Sequence, residues 1–189
     1  MPTRADAVAL LEEWVENDAL RKHMYSVEAA VRHYARLRGA DEDVWAMAGL
    51  LHDLDWEKYP DEHPKRAVAH LRDAGYPQEV LDAILAHAPE RTGVEPTNEL
   101  QKVLFACDEL SGLVFACCLV RPTGIDDLTP KSVVKKLKDK AFAAGVNRDD
   151  VARGIDLIGT VRSEHIQNVI DGMRAVGAAL GIRQADLGG

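Results

Sequence analysis

The sequence predicts an all-α protein, a helical bundle whose helices bury their apolar faces against one another. Apolar residues recur at three- and four-residue spacing from one end of the chain to the other, and no long stretch alternates with the two-residue period of a strand. Prolines and glycines separate these periodic stretches. We expect a single domain over residues 1–189, with a core of about 19–120 and a C-terminal helical hairpin of about 129–180 packed on it.

Capping residues mark the first three helices, which we expect at about Thr3–Asn17, Ala19–Leu37 and Asp41–Asp53. The third helix is apolar on every face over residues 44–51, and a helix without a polar face is buried on all sides. It nevertheless ends in His52-Asp53. Because a buried lone carboxylate is very costly, Asp53 is expected to be paired, solvated or bound to a metal ion.

Five further helices complete the prediction. Pro64 and Pro77 suit the first positions of the fourth and fifth helices, because proline lacks the N–H that is unpaired there anyway. The five are expected at about Pro64–Gly75, Pro77–Ala88, Asn98–Val120, Lys131–Phe142 and Arg148–Leu180, with loops at about Pro89–Thr97 and Pro122–Pro130.

Composition argues against several classes of function. The 189-residue chain has a formal net charge of −8, so it repels phosphate backbones and no nucleic-acid polymer is expected as a partner. The longest uncharged apolar run, Leu113–Val120, is far shorter than the ~20 residues of a membrane span, so no membrane partner is expected. Acidic residues near the N-terminus argue against a signal peptide, which favours the cytoplasm. A homo-oligomer stays open. Buried, reduced thiols are expected at Cys107, Cys117 and Cys118.

Inward-facing polar residues indicate a metal site. Asp108 lies on the apolar side of its helix, between Leu104 at i−4 and Ser111 at i+3. His23 lies on the apolar face of the second helix. Together with His52-Asp53, three helices direct imidazole and carboxylate groups inward, a donor set that suits Mn²⁺, Fe, Zn²⁺ or Mg²⁺. The absence of cysteine ligands argues against a structural zinc site.

This order of residues resembles the HD superfamily of metal-dependent phosphohydrolases. Its signature is a His, then His-Asp at a helix end, then a distant Asp, and residues 48–53 look like the usual apolar lead into the His-Asp pair. His63-Pro64 and the later Ile84-Leu85-Ala86-His87 resemble the HDIG subgroup, which has two additional histidines. The resemblance covers roughly residues 21–112.

The resemblance implies an HD-domain-like helical bundle, here with a C-terminal helical extension. The bundle would hold one or two divalent ions (Mn, Fe, Zn, Mg, Co or Ni). The first ion would be held by His23, His52, Asp53 and Asp108. The second would be held by His63 and His87, with Asp53 bridging. The implied activity is hydrolysis of a phosphate ester or anhydride of a nucleotide or other small metabolite. The alternatives are an HD-fold di-iron oxygenase with the same six ligands, and a binding module without turnover.

The segment after the His-Asp pair departs from the HDIG pattern and adds acidic groups. It reads Leu54-Asp55-Trp56-Glu57-Lys58, and the doubled His of cyclic-dinucleotide phosphodiesterases is absent. The candidate catalytic residues are Asp53, Asp55 and Glu57, of which Glu57 is expected to orient or deprotonate water; a solvated loop is the alternative. The lysines of residues 131–140 are interpreted as a solvated helix face. Structural roles are expected for His33, His70 and His165.

Overall fold

A computed structural model describes residues 2–187, which form twelve helices and one isolated β-bridge between Gly124 and Arg183. The all-α prediction is therefore confirmed. The first seven helices are α1 Arg4–Trp14, α2 Asp18–Arg38, α3 Glu42–Leu51, α4 Lys65–Asp73, α5 Gln78–Ala86, α6 Pro89–Thr92 and α7 Glu99–Leu119. The remaining five are α8 Pro130–Leu137, α9 Arg148–Ile158, α10 Arg162–Ala175, α11 Gly177–Leu180 and α12 Gln184–Leu187.

Side-chain caps begin the long helices where the sequence predicts them. Thr3 and Asp6 form a reciprocal capping box at the start of α1, and the side chain of Asp41 accepts the N–H groups of Asp43 and Val44 at the start of α3. Helix α2 ends at Gly39, whose φ of 63° is the left-handed conformation that glycine adopts without strain. These boundaries set the lengths of the helices that carry the site.

Helices α2, α3 and α7 form the centre of the fold. Helix α3 packs on α2, α2 packs on α7, and every residue from Val44 to Leu51 is buried, as its all-round apolar sequence predicts. The C-terminal end of α3 therefore lies next to the buried faces of α2 and α7. Polar side chains at the end of α3 can contact polar side chains of those two helices there.

Helix α9 lies unusually close to α7. A Cβ atom on Gly154 would lie 2.7 Å from the Cα atom of Ala106, a distance at which backbone has to move. Only glycine permits this approach, and it places the first turns of α9 beside Asp108 and Glu109 of α7.

The C-terminal segment differs from the predicted helical hairpin. The single helix expected over Arg148–Leu180 is three helices, because the chain leaves the helical conformation at Gly159, where φ is 67°, and again at Val176. Helix α8 ends at Leu137 rather than near Phe142, and the loop predicted at 89–97 begins with the short helix α6. Helices α9 and α10 pack on α7 and α2 respectively.

Three other expectations concern buried and apolar groups. The cysteines Cys107, Cys117 and Cys118 are buried and unpaired, as predicted. His165 is fully buried, where its Nδ1 atom lies 2.6 Å from the hydroxyl oxygen of Tyr34 and its Nε2 atom lies 3.0 Å from the carbonyl oxygen of Ala106. This is a structural role, as expected. Among residues 2–187, no helix combines the length and apolar character needed to cross a bilayer.

Candidate metal centre

The structure brings together all six side chains that the sequence singles out as metal ligands. They come from α2, the end of α3, the turn before α4, the end of α5, and α7: His23, His52, Asp53, His63, His87 and Asp108. Their donor atoms fall into two adjacent groups. Burial is deep, since His52, His63 and His87 are all less than a tenth exposed.

The first group surrounds the end of α3. The Nε2 atom of His23 lies 3.2 Å from the Nε2 atom of His52 and 3.0 Å from Oδ1 of Asp108. The Nε2 atom of His52 lies 3.4 Å from the same Asp108 oxygen and 3.4 Å from Oδ2 of Asp53. His23, His52 and Asp108 therefore form one group of donor atoms, and Oδ2 of Asp53 lies beside it.

The second group uses the other oxygen of Asp53. Its Oδ1 atom lies 3.5 Å from Nε2 of His63 and 3.6 Å from Nε2 of His87. Because Oδ2 faces His23 and His52 while Oδ1 faces His63 and His87, the one carboxylate is placed between both groups. This is the geometry that a bridging ligand requires.

Hydrogen bonds orient three of the four imidazoles. The Nδ1 atom of His52 lies 2.8 Å from the carbonyl oxygen of Gly49, and that of His87 lies 2.5 Å from the carbonyl oxygen of Ile84. The Nδ1 atom of His63 lies 2.8 Å from Oδ1 of Asp55. Each partner is an acceptor, so each Nδ1 carries a hydrogen, and Nε2 is the atom of each ring that would bind a metal ion.

These residues fit divalent metal ions. With bonds of about 2.1 Å, neighbouring ligands of one ion lie about 3.0–3.4 Å apart, close to the separations within the two groups. The Nε2 atoms of His23 and His52 face each other at 3.2 Å, an approach that two lone pairs tolerate only with a proton or a cation between them. The donor set of imidazole and carboxylate also suits such ions.

The electrostatics of the cluster favour cations as well. Burial alone would lower the pKa of His52, but the carboxylates of Asp53 and Asp108 outweigh it and hold that pKa well above its ordinary 6.5. Burial would likewise raise the pKa of Asp53 and Asp108, but His52 holds the pKa of both well below 3.8. Without an ion, the cluster therefore keeps ionised carboxylates next to a protonated imidazole.

Two of the predicted catalytic residues lie where they cannot reach the cavity. Asp55 is fully buried, and its two oxygens accept hydrogen bonds from His63 and from the backbone N–H of Ala67. It acts on the cluster only through His63. Glu57 points elsewhere: its Oε2 atom accepts the backbone N–H groups of Glu16 and Asn17, each at 3.0 Å. The position of Glu57 gives no support to a role in activating water.

A cavity of about 600 Å³ opens above the cluster. Its floor includes His23, Asp53, His63, His87 and Asp108, and its walls hold two arginines, Arg91 and Arg153. Sequence reasoning missed both arginines, because charged residues on short or partly exposed helices look like an ordinary solvated surface. The lysines of residues 131–140 do not line this cavity.

One wall of the cavity comes from the C-terminal part of the chain. It contains Val146, Asn147, Asp150 and Arg153, and it faces Glu109 of α7. The backbone N–H of Asn147 donates to Oε2 of Glu109 at 2.9 Å. Burial, helped by the charge of Asp108, raises the pKa of Glu109 to about 7. Burial first, and then the charge of Glu90, raises the pKa of Asp150 above 3.8.

Comparisons with known proteins identify the part of the chain that carries the centre. The model of the HD domain matches residues 20–113, a range that contains all six clustered side chains. No curated protein and no solved structure matches the chain significantly.

Proposed function

Because residues 20–113 form an HD domain and the chain is thereby a member of the HD superfamily, we propose that it is a metal-dependent phosphohydrolase. HD domains bind divalent metals, and the family consists in general of metal-dependent hydrolases. The proposed substrate is a phosphate ester or anhydride of a nucleotide or other small metabolite. The observation that carries the proposal is the placement of Asp53 between two groups of donor atoms on the floor of an open cavity.

Two ions would be held by different residues. His23, His52 and Asp108 would hold the first, His63 and His87 the second, and Asp53 would contribute one oxygen to each. Bound there, divalent ions lower the pKa of a coordinated water and polarise a phosphoryl oxygen.

Two residues outside the ligand set have separate roles: Arg91 binds the substrate, and Asp55 orients a ligand. Arg91 carries a guanidinium that donates to the carbonyl oxygen of Pro60 at 2.8 Å and lies over the Trp56 ring, 4.8 Å from its centroid. These contacts leave further N–H donors free for phosphate oxygens, which guanidinium groups bind well. Asp55 fixes the ring of His63, so that the Nε2 lone pair stays directed into the cluster.

The test is phosphate release by protein loaded with Mn²⁺, Co²⁺, Ni²⁺, Mg²⁺ or Fe²⁺. The substrates are p-nitrophenyl phosphate, bis(p-nitrophenyl) phosphate, sugar phosphates and nucleoside mono-, di- and triphosphates. We expect turnover of at least one class, its loss in Asp53→Asn, and unchanged turnover in Asp61→Asn, an exposed position in the turn before α4.

Two other outcomes of these measurements would each favour a different function. Consumption of oxygen by the iron-loaded protein, without phosphate release, would favour the oxygenase alternative, since imidazole and carboxylate also suit iron. Metal binding without any turnover, combined with stabilisation by one phosphorylated compound, would favour a binding module.

A further inference from the structure

The cavity has an uneven distribution of charge above the metal-binding floor. Three carboxylates line this upper part, those of Glu90, Glu109 and Asp150, beside Arg91 and Arg153. The guanidinium of Arg153 is already paired with Glu95 and lies over the Phe105 ring, 4.9 Å from its centroid.

Arg91 is held differently from Arg153. Within residues 2–187, its contacts are the carbonyl oxygen of Pro60 and the ring of Trp56, and no carboxylate lies within ion-pair distance of it. Neither a carbonyl nor a ring neutralises a positive charge. Arg91 is thus the cation that the upper cavity offers to a substrate, and it matches one phosphate group.

We infer that the substrate is a phosphomonoester with a single phosphate group and an organic part rich in hydrogen-bond donors, hydroxyl or amino, which the wall formed by α9 recognises. This inference rests on the proposed phosphohydrolase function and narrows its substrate class. The phosphate would lie between the metal-binding floor and Arg91. The organic part would then face Asp150 and Asn147.

The carboxylates of the upper cavity are suited to recognising donors rather than to holding another ion. The clusters of residues 2–187 that could hold a metal are the two described above, and neither contains Glu90 or Asp150. One oxygen of Asp150, Oδ2, accepts from the side-chain amide of Asn147, which leaves Oδ1 for a substrate. The ionised carboxylates of Glu90 and Asp150 accept hydrogen bonds and repel anions, so a second or third phosphate group would be disfavoured here.

The α9 wall is held in place by contacts on three sides. The close approach at Gly154 fixes α9 against α7, and the N–H of Asn147 is tied to Glu109. Arg148 donates to the carbonyl oxygens of Ala143 at 2.6 Å and of Val146 at 2.7 Å, which fixes the loop that leads into the wall. A wall fixed in this way can discriminate between substrates, because its side chains do not move to accommodate a substrate of the wrong shape.

The wall also lies outside the HD domain itself. Val146, Asn147, Asp150 and Arg153 follow the matched range of residues 20–113. The metal-binding floor and the selecting wall are therefore contributed by different parts of the chain. A change in the wall can alter substrate choice and leave the metal centre intact.

The experiment compares kcat/KM of the metal-loaded protein for four kinds of phosphate compound. Ribose 5-phosphate offers hydroxyl donors, O-phosphoethanolamine offers an amino donor, phenyl phosphate offers neither, and ATP carries three phosphate groups. We expect one of the two donor-bearing esters to exceed phenyl phosphate and ATP at least tenfold. Which of the two is preferred distinguishes a hydroxyl from an amino organic part.

Variants then assign the preference to the wall. Asp150→Asn is expected to lower kcat/KM for the preferred ester about tenfold, mainly through KM, and to leave phenyl phosphate unchanged. Asp149→Asn, an exposed neighbour on α9, is the matched control. Glu90→Gln, an exposed cavity residue on α6, serves as a second variant in case Asp150→Asn folds poorly, and it is expected to improve the use of ATP.

The outcomes separate the inference from the proposed function. Equal or better use of ATP or phenyl phosphate, or equal effects of Asp150→Asn on all four compounds, would overturn the inference and leave a phosphohydrolase. Hydrolysis of none of the four, nor of any phosphate ester, by protein with a full metal complement would overturn both.

Discussion

The Nδ1 atom of His63 lies 2.8 Å from the Oδ1 atom of Asp55, inside the protein and away from solvent. Asp55 shows no exposed surface, and its other oxygen, Oδ2, accepts a hydrogen bond from the backbone N–H of Ala67, with an N···O distance of 2.7 Å. This carboxylate therefore fixes one ring of the six-residue cluster without entering the cavity. It also links the turn that carries His63 to the start of α4.

Asp55→Asn is expected to weaken binding at the second metal position by about 10- to 100-fold. Asparagine has one acceptor oxygen for two donors, His63 and the N–H of Ala67, and its NH₂ group would face the other donor. The side chain is therefore displaced, and the ring of His63 loses its fixed orientation. Competition for Mn²⁺ or Zn²⁺ against a chelating dye measures the change, with Asp61→Asn as the exposed control. An affinity equal to that of the unmodified protein at both positions would show that Asp55 does not position His63.

Glu57→Ala is expected to reduce stability and leave the chemistry intact. The variant removes the acceptor for the N–H groups of Glu16 and Asn17 at the start of α2, and because the site is exposed the loss is at most about 1 kcal/mol. Urea denaturation and kcat, measured on the same preparation, check this. A large fall in kcat with unchanged stability would restore the catalytic role that the sequence suggested for Glu57.

Gly154→Ala is expected to destabilise the protein, although alanine favours helices. The added Cβ would lie 2.7 Å from Cα of Ala106, and such overpacking costs about 1–3 kcal/mol, against about 1 kcal/mol gained in helix propensity. The control is Gly145→Ala, whose Cβ would have no neighbour within 4 Å in the described part of the chain. A midpoint of denaturation for Gly154→Ala equal to or above that of the control would contradict the close approach of α9 to α7.

The buried His165 is expected to make stability fall as the pH drops below 6.5. Burial lowers its pKa from 6.5 to about 4, although its bond to the Ala106 carbonyl opposes the shift. Between these values the unfolded chain binds a proton that the folded chain does not. The free energy of unfolding therefore decreases towards acid, by about 2 kcal/mol at pH 5 relative to neutral pH.

Urea denaturation at pH 7 and pH 5 measures this dependence. His165→Gln lacks the titrating group and is expected to lose about 2 kcal/mol less than the unmodified protein over that interval, whatever its stability at pH 7. The exposed His70→Gln is expected to behave like the unmodified protein. Identical pH dependence in all three would mean that His165 takes up a proton in the folded state.

Periodicity predicted most of the fold because the buried faces are continuous. The apolar stretch of residues 44–51 is buried throughout, and the long apolar helix is found as Glu99–Leu119. The prediction of one helix over 148–180 was wrong, since the periodicity resumes after the break. Gly159 followed by two β-branched residues was the available signal, because a glycine in the left-handed conformation ends a helix.

The floor of the site was easier to predict than its surroundings. A His or Asp on an otherwise apolar helix face is costly to bury, so His23, His52, Asp53 and Asp108 each signalled a partner. His63 and His87 were implied by the family resemblance instead, and the structure brings all six together. Their role as ligands stays a prediction. Asp55 was predicted as a catalytic residue and not as the partner of His63, and Arg91 and Asp150 gave no signal at all. Nothing in the local sequence shows which charged residues of turns and short helices face inwards. That depends on how distant segments pack.

Metal content after reconstitution tests the bridging position of Asp53 most directly. Elemental analysis of protein dialysed against Mn²⁺ or Zn²⁺ is expected to give two ions per chain, with one in His87→Gln and none in Asp53→Ala. Circular dichroism shows whether each variant is folded, and Asp61→Ala is the control for the loss of one carboxylate. Two ions in folded Asp53→Ala, or none in the unmodified protein, would contradict the account.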